Sequence, residues 1–207
     1  MIAVCNTVAM GIPRRSSDID IFVITAPRRL WAVRLLLHGI FSLGSLARRG
    51  NAPTADRLCL SFLVTTNAMD LSPLAKQPTD PYLLAWTVSL VPVLNRNQTY
   101  EAFWEKNAAM ASALPRACAR RSAVARSLAP SFLALCLERL CFGPIGDRVE
   151  SFARRVQRPR MLANRSSRLH TGGTDVVVSD DVLKFHEEDK REGIRTAFLS
   201  RAATYGV

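Results

Sequence analysis

Residues 18–24 read Asp18-Ile19-Asp20-Ile21-Phe22-Val23-Ile24, an alternation of polar and apolar side chains that passes into an apolar run. The pattern predicts a β-strand in which Asp18 and Asp20 lie on one face and Ile19 and Ile21 on the other. Two carboxylates at the start of one strand suit Mg²⁺, a hard cation that takes oxygen ligands and shares substrate phosphates with one or two carboxylates. Two such ions could hold the attacking and leaving oxygens of a phosphoryl displacement.

The segment upstream of this strand is predicted to lie beside the same site. Residues 2–9 form a short apolar run of β character, and the turn that follows it predicts a hairpin with the strand of residues 18–25. Free backbone N–H groups and a hydroxyl in such a turn can approach a triphosphate, and arginines there add positive charge. The candidate phosphate-binding residues are Thr7, Gly11, Arg14 and Arg15.

The segment downstream completes the outline of an α/β (α+β) fold. Residues 28–49 carry apolar side chains at helical spacing, and residues 57–65 form a third, nearly continuous apolar strand. Most of the remaining chain has helical patterns, over residues 80–94, 97–110, 118–141, 146–160 and 185–203, with a brief strand at 175–179. We therefore predict an α/β core over 1–75, a helical region over 76–164, and a last segment, 165–207, whose linker, short strand and helix can pack back on the core.

Composition restricts the partners and the compartment. The net charge is +11, and residues 114–168 hold twelve arginines against Glu138, Asp147 and Glu150. Such a stretch can attract phosphate on a nucleotide, a nucleic acid or a lipid surface, or it can form solvated helix faces.

The apolar stretches fall short of the roughly 20 residues that span a bilayer, and the start of the chain lacks the features of a signal peptide. Five cysteines without a C-x-x-C pair favour reduced thiols in the cytoplasm.

One part of the chain is similar to a known family. Residues 8–25 (VAMGIPRRSSDIDIFVIT), continuing into Arg29-Leu30-Trp31 and Arg34, resemble the signature of bacterial nucleotidyltransferase-like proteins of the polymerase beta superfamily, in which a Gly-Ser turn precedes a D-x-D strand. Weaker similarity to a poorly characterised subgroup extends through residues 58–62, 70–72, 90–94, 100–107 and 183–191. The resemblance implies a small mixed sheet of nucleotidyltransferase-like topology. It also implies transfer of a nucleoside monophosphate from an NTP to an acceptor that the sequence does not identify, with Asp18 and Asp20 holding Mg²⁺ and Thr7 near the phosphates.

The chain departs from the family pattern at three points. Asn6-Thr7 stands where the Gly-Ser is expected, and the relatives carry a helical segment before the first strand, which predicts a truncated N-terminus. The third carboxylate expected on the later strand is missing, because Cys59 and Ser61 occupy the candidate face. Three alternatives remain: two carboxylates suffice, the site is degenerate, or another residue substitutes, such as Asp56 or Asp70.

Two further hypotheses concern the rest of the chain. A polar group near the C-terminus is predicted either to close over the triphosphate as a lid or to be a solvated helix start; its members are Lys184, His186, Asp189 and Arg191. If the site is degenerate, the alternative function is a non-catalytic module that binds nucleic acid or a protein partner through the Arg-rich region. Association with a membrane surface ranks below both.

Overall fold

A computed structural model of the chain describes residues 1–43, 57–111, 139, 141–187 and 190–204. The strands in these ranges are β1 (Ile2–Val4), β2 (Ile19–Thr25), β3 (Leu58–Thr65), β4 (Val91–Leu94), β5 (Val176–Val178) and β6 (Val182–Phe185). The helices are α1 (Asn6–Ala9), α2 (Leu30–Leu43), α3 (Pro81–Ser89), α4 (Thr99–Lys106), α5 (Ala108–Ala111), α6 (Pro144–Leu162) and α7 (Arg191–Thr204). The fold is mixed α/β, as predicted.

All six strands belong to one sheet, in the order β4-β1-β2-β3-β6-β5. Strands β2 and β3 are parallel, and the connection between them includes α2. The other pairs are antiparallel, and the predicted hairpin of β1 and β2 is confirmed, with Ala3 opposite Phe22. The short strands β4 and β5 form the two edges of the sheet.

Both faces of the sheet are covered, which explains why its central strands are almost continuously apolar. On one face, the ring of Phe22 lies 5.1 Å from the rings of Phe62 and Trp86 and 5.7 Å from that of Phe103, measured between centroids. We call these four residues the aromatic cluster. The opposite face packs against α2 and α6, and its buried side chains include Val23, Leu30, Trp31, Leu63, Ala153 and Leu183. The alternation along β2 thus supplies both cores.

Helix α6 is fixed to the start of α2 by polar side chains. The Glu150 carboxylate accepts hydrogen bonds from the backbone N–H groups of Trp31, at 3.1 Å, and Ala32, at 2.7 Å. These N–H groups have no partner within their own helix, and a carboxylate there also interacts favourably with the helix dipole. Every helix in the described ranges is too short or too polar to cross a bilayer.

Three predicted elements in the first half of the chain differ from the structure. The strand predicted over residues 2–9 ends at Val4, and the helix predicted over 80–94 ends at Ser89, since Val91–Leu94 form β4 beside β1. Pro92 cannot donate a helical hydrogen bond, and β-branched neighbours favour a strand. The helix predicted over 97–110 is divided at Asn107, whose side chain is buried and binds the backbone of Met69 and Leu71. Most of the helix predicted over 118–141 lies outside the described residues.

The last segment contributes more to the sheet than predicted. The short strand predicted at 175–179 is present as β5, but residues 182–185 form an additional strand, β6, so the final helix begins at Arg191 and not near 185. Strand β6 pairs with β3, with Lys184 opposite Phe62. Strands from all three predicted segments therefore lie in one sheet.

Candidate metal site

The two aspartates of the D-x-D pattern lie at the start of β2, beside the start of β3. Asp20 is paired with Cys59 across the parallel ladder. One potential ligand atom from each of Asp18, Asp20 and Cys59 can be chosen so that all three lie within 4.8 Å of one another, and all three residues are half-buried. We call these residues the Asp-Asp-Cys cluster.

An irregularity in the sheet puts Cys59 in this position. Asp20 is opposite Cys59, but Phe22 is opposite Phe62, so two steps along β2 correspond to three steps along β3. An uninterrupted ladder that pairs Phe22 with Phe62 would place Leu60 opposite Asp20. The extra residue is a β-bulge, a device that redirects side chains near strand ends and functional sites. Because of the bulge, the neighbour of Asp20 on β3 is the thiol of Cys59 and not the apolar side chain of Leu60.

Asn6 fills the place in the turn where the family resemblance predicts glycine. Its φ angle is 56°, in the left-handed region that glycine adopts freely and that asparagine tolerates better than most residues. Its side-chain Nδ2 donates to Asp20 Oδ2 at 2.7 Å, while its Oδ1 accepts from the Tyr82 hydroxyl at 3.2 Å. Asn6 thus keeps the backbone shape of the turn and adds a donor that orients Asp20.

The electrostatic environment of Asp20 is that of a carboxylate partly removed from water. Burial raises the pKa of Asp20, the Asn6 donor opposes this rise, and the nearby charge of Asp18 adds to it. The Cys59 thiol and the Ser61 hydroxyl also lie close enough to lower the pKa of Asp20. The Ser61 hydroxyl lowers the pKa of Asp20 from a position outside hydrogen-bond geometry. Its buried Oγ has no hydrogen-bond partner among the described residues.

The predicted phosphate-binding residues lie in the segment between β1 and β2, with Thr7 in α1 and the others in the turn that follows α1. The carbonyl of Thr7 accepts from the backbone N–H of Ile12 at 2.9 Å, and Gly11 has a φ of 75°, so these two residues shape the turn. Arg14 and Arg15 lie in its exposed part, where the Arg14 backbone N–H donates to the Ser17 hydroxyl at 2.9 Å. The turn is therefore attached to the Asp-Asp-Cys cluster through Asn6.

The predicted lid residues have a different environment from the one expected. Lys184 and Arg191 are buried: Lys184 donates to the carbonyl of Thr174, and Arg191 pairs with Asp80 at 2.9 Å and with Asp175 at 3.2 Å. Buried cations with these partners hold the last segment on the sheet, so neither is placed as an exposed lid. Asp189 lies outside the described residues.

His186 is the remaining predicted lid residue, and its ring lies edge-on to that of Phe62. Burial, together with the positive charges of Lys184 and Arg191, lowers the pKa of His186 from 6.5 to about 3, against the opposite effect of Asp175. The folded protein therefore holds His186 neutral, whereas the unfolded chain protonates it below the ordinary pKa.

We expect His186 to make the folded state less stable in acid. Its contribution is fully present above pH 6.5 and is lost as the pH falls toward about 3, because the unfolded state then binds the extra proton. The slope is on the order of 1 kcal/mol per pH unit in this window. Urea unfolding between pH 4 and 8 should show a shallower dependence for His186→Gln than for wild type, and identical slopes would contradict the assignment.

The ligands of the Asp-Asp-Cys cluster suit one Mg²⁺ ion better than two Mg²⁺ ions. Asp18 and Asp20 provide the oxygen ligands that Mg²⁺ prefers, but a thiol is a soft ligand that it does not prefer. Among the proposed substitutes for the third carboxylate, Asp56 lies outside the described residues, and Asp70 is exposed and accepts from the backbone N–H of Ser72 at 2.9 Å. Within the described ranges, the Asp-Asp-Cys cluster is the one group of three such side chains that could surround a metal ion.

Comparison of the chain with protein-family models, with curated proteins and with solved structures gives no match. Sequence reasoning had singled out both aspartates as candidate ligands, and it placed Cys59 and Ser61 on the correct strand, β3, without assigning either to the site. It did not identify Asn6 as the donor to Asp20 or Tyr82 as the donor to Asn6, and the signal for Asn6 was its position where the resemblance predicts glycine.

Proposed function

We propose that this chain is a metal-dependent nucleotidyltransferase that moves a nucleoside monophosphate from an NTP to an acceptor. The observation that carries the proposal is the convergence of Asp18 and Asp20 at the start of β2, beside a turn whose left-handed residue contacts Asp20. A turn followed by a strand with two such carboxylates is the arrangement that the family resemblance implies. We place the protein in the cytoplasm, in keeping with the free thiols of Cys5, Cys59 and Cys141.

In this proposal the residues of the chain act mainly by positioning. A bound divalent cation would supply charge neutralisation for the phosphate oxygens that it shares with the protein. Asp18 and Asp20 would hold that cation, and Asn6 keeps the Asp20 carboxylate in one orientation through its 2.7 Å hydrogen bond. Arg14 and Arg15 are exposed in the adjacent turn, where their charges can meet the outer phosphates of the nucleotide.

The first test is thermal stabilisation of the purified protein by each NTP, with and without Mg²⁺. A ligand that binds only the folded state stabilises it by about 2.7 kcal/mol at a hundredfold excess over its Kd. We expect a shift that needs the cation and is abolished in the variant Asp18→Asn with Asp20→Asn. Glu105→Gln, which removes an exposed carboxylate on α4, is the matched control and should keep the shift. A well-folded wild type without a shift for any NTP would refute nucleotide binding at this site.

A second candidate function is supported by the outer face of α6. Exposed apolar side chains at Ile145, Val149 and Phe152 follow a helical spacing, and the exposed arginines Arg148 and Arg155 lie between and beside them. Cations interleaved with an aromatic ring can bind the backbone and bases of a single-stranded nucleic acid, and the same face could meet a protein partner.

In this alternative the chain is a non-catalytic module, and its ligand binding should not depend on Asp18 and Asp20. Binding of a single-stranded oligonucleotide should weaken steeply with salt and should weaken further in Arg148→Gln with Arg155→Gln. The Asp18→Asn, Asp20→Asn variant should bind it as wild type does. Loss of oligonucleotide binding in that aspartate variant would argue against the α6 face as an independent binding surface.

A further inference from the structure

We propose that the Asp-Asp-Cys cluster selects a thiophilic divalent cation, represented by Zn²⁺, over Mg²⁺, with the Cys59 Sγ as the third protein ligand. The inference rests on the proposed function only for the role of the ion with a nucleotide, because binding of the ion itself follows from the cluster. Its basis is the soft sulfur of Cys59, which the paired backbone of β3 places beside the carboxylates of Asp18 and Asp20.

The spacing of the three groups suits a single small ion. Zinc binds carboxylate oxygen at about 2.0–2.2 Å and thiolate sulfur at about 2.3 Å in tetrahedral geometry, so two of its ligands lie roughly 3.4–3.8 Å apart. The candidate ligand atoms of Asp18, Asp20 and Cys59 already lie within 4.8 Å of one another. A contraction of about 1 Å is within the reach of rotation about the side-chain bonds of these three residues.

Cys59 is held in place by the sheet and not by a flexible loop. Its backbone is paired with that of Asp20 in the ladder between β2 and β3, and the bulge that follows keeps this register distinct from that of Phe22 and Phe62. The thiol also lies close enough to Asp20 to affect the carboxylate. A ligand on a paired strand is positioned before the ion arrives, which favours tight binding.

A second observation, the unsatisfied hydroxyl of Ser61, also points to a bound group. The Ser61 hydroxyl is 4% exposed, lies close to Asp20, and has no hydrogen-bond partner among the described residues. Buried hydroxyls in native proteins usually have a partner, so an unsatisfied one beside Asp20 requires an explanation. An ion carrying water in its fourth position would supply that partner, since the metal-bound water can bond to the hydroxyl.

The charge and protonation of the cluster are also consistent with Zn²⁺. The ion displaces one proton, from the Cys59 thiol to solvent, and the resulting thiolate forms the bond to the metal. The neighbouring thiol of Cys5 is completely buried, and burial raises its pKa. Thiolate sulfur favours zinc, whereas a site made only of oxygen ligands favours magnesium, so the Cys59 thiolate moves the preference of this site toward zinc.

The test uses the purified full chain, stripped of metal, and the ions alone. Co²⁺ replaces Zn²⁺ as a spectroscopic probe, since cobalt bound to a thiolate gives a charge-transfer band in the near ultraviolet. We expect one equivalent of Co²⁺ to give this band, Zn²⁺ to displace it, and millimolar Mg²⁺ to leave it unchanged. Cys59→Ser should abolish the band and lower Zn²⁺ affinity by at least about tenfold, because even partners outside the ligand shell change affinity by about 10- to 100-fold.

Three further proteins make the result specific. Cys141→Ser removes an exposed thiol elsewhere in the chain and should keep the band. Asp18→Asn with Asp20→Asn should weaken Co²⁺ binding, and Cys59→Asp should bind Mg²⁺ more tightly than wild type while losing the band. Circular dichroism and thermal unfolding without metal check that each variant is folded, and Cys59→Ala replaces Cys59→Ser if the latter does not fold.

The outcomes separate this inference from the proposed function. Absence of the band in wild type, or its persistence in folded Cys59→Ser, overturns the metal preference whatever the nucleotide experiment shows. A Cys59-dependent band without stabilisation by any NTP, tested with Mg²⁺ and with Zn²⁺, supports the ion site and overturns nucleotidyl transfer. An NTP shift that requires Mg²⁺, is abolished in the aspartate variant, and occurs without the band supports the transferase and overturns this inference.

Discussion

Replacement of Arg191 by methionine is expected to lower the free energy of unfolding by about 3–5 kcal/mol, the loss that follows when one partner of a buried ion pair is removed. The Arg191 guanidinium is 4% exposed and pairs with Asp80, which is 7% exposed. It also bonds to Asp175 and to the carbonyl of Leu74. Methionine keeps much of the side-chain volume, so the loss arises mainly from the negative charge left buried at Asp80.

Equilibrium unfolding in urea, monitored by circular dichroism, measures this loss. Arg201→Ala is the matched control, because it removes the same charge from the exposed side of the same helix and should change the free energy by less than about 0.5 kcal/mol. Arg191→Lys keeps the charge but not the planar fork that reaches both carboxylates, so its loss should be intermediate. A loss below about 1 kcal/mol for Arg191→Met would show that the pair is replaceable.

Phe22→Ala is expected to cost a similar amount, about 3–5 kcal/mol, as other buried Phe→Ala replacements do. Phe22 is completely buried at the centre of the aromatic cluster, in contact with Phe62, Trp86 and Phe103. The missing ring would leave a cavity among three large, well-packed side chains, which cannot all move inward.

The control for this replacement is Phe198→Ala, since Phe198 lies on α7 and is 49% exposed. Its loss should be no more than about 1 kcal/mol. If Phe22→Ala does not fold, Phe22→Leu gives a smaller and measurable loss. Equal losses of unfolding free energy for Phe22→Ala and Phe198→Ala would contradict the central place of Phe22 in the aromatic cluster.

Because Phe22 follows Asp20 by two residues on β2, the Phe22→Ala variant should also weaken metal binding, which the cobalt titration measures.

The parts of the fold that sequence predicted are those set by local patterns. The period of two in residues 18–24 and the apolar run at 57–65 identified β2 and β3, and helical spacing identified the crossover helix between them. Neither β4 nor β6 has such a pattern. Residues 90–94 extend an apolar helix in sequence and become a strand because β1 offers backbone partners, and Lys184 is a buried cation within β6 because Thr174 offers it a carbonyl.

The candidate site shows the same division between local and distant causes. The relative position of Asp18 and Asp20 follows from the strand period alone. The position of Cys59 depends on a bulge between two strands that are more than thirty residues apart in sequence, and no local pattern predicts the bulge. The hydrogen bond from Asn6 depends on a left-handed backbone angle that only the folded turn reveals.

The edges of the sheet bear on how copies of this protein behave at high concentration. An edge strand presents unpaired N–H and C=O groups, and long flat edges lead to intermolecular strand pairing and fibrils. Here one edge, β4, spans four residues and includes Pro92, which has no N–H to offer, and the other, β5, spans only three residues. Both edges are poor templates for a neighbouring chain, so the open sheet formed by the described strands is expected to resist edge-to-edge aggregation.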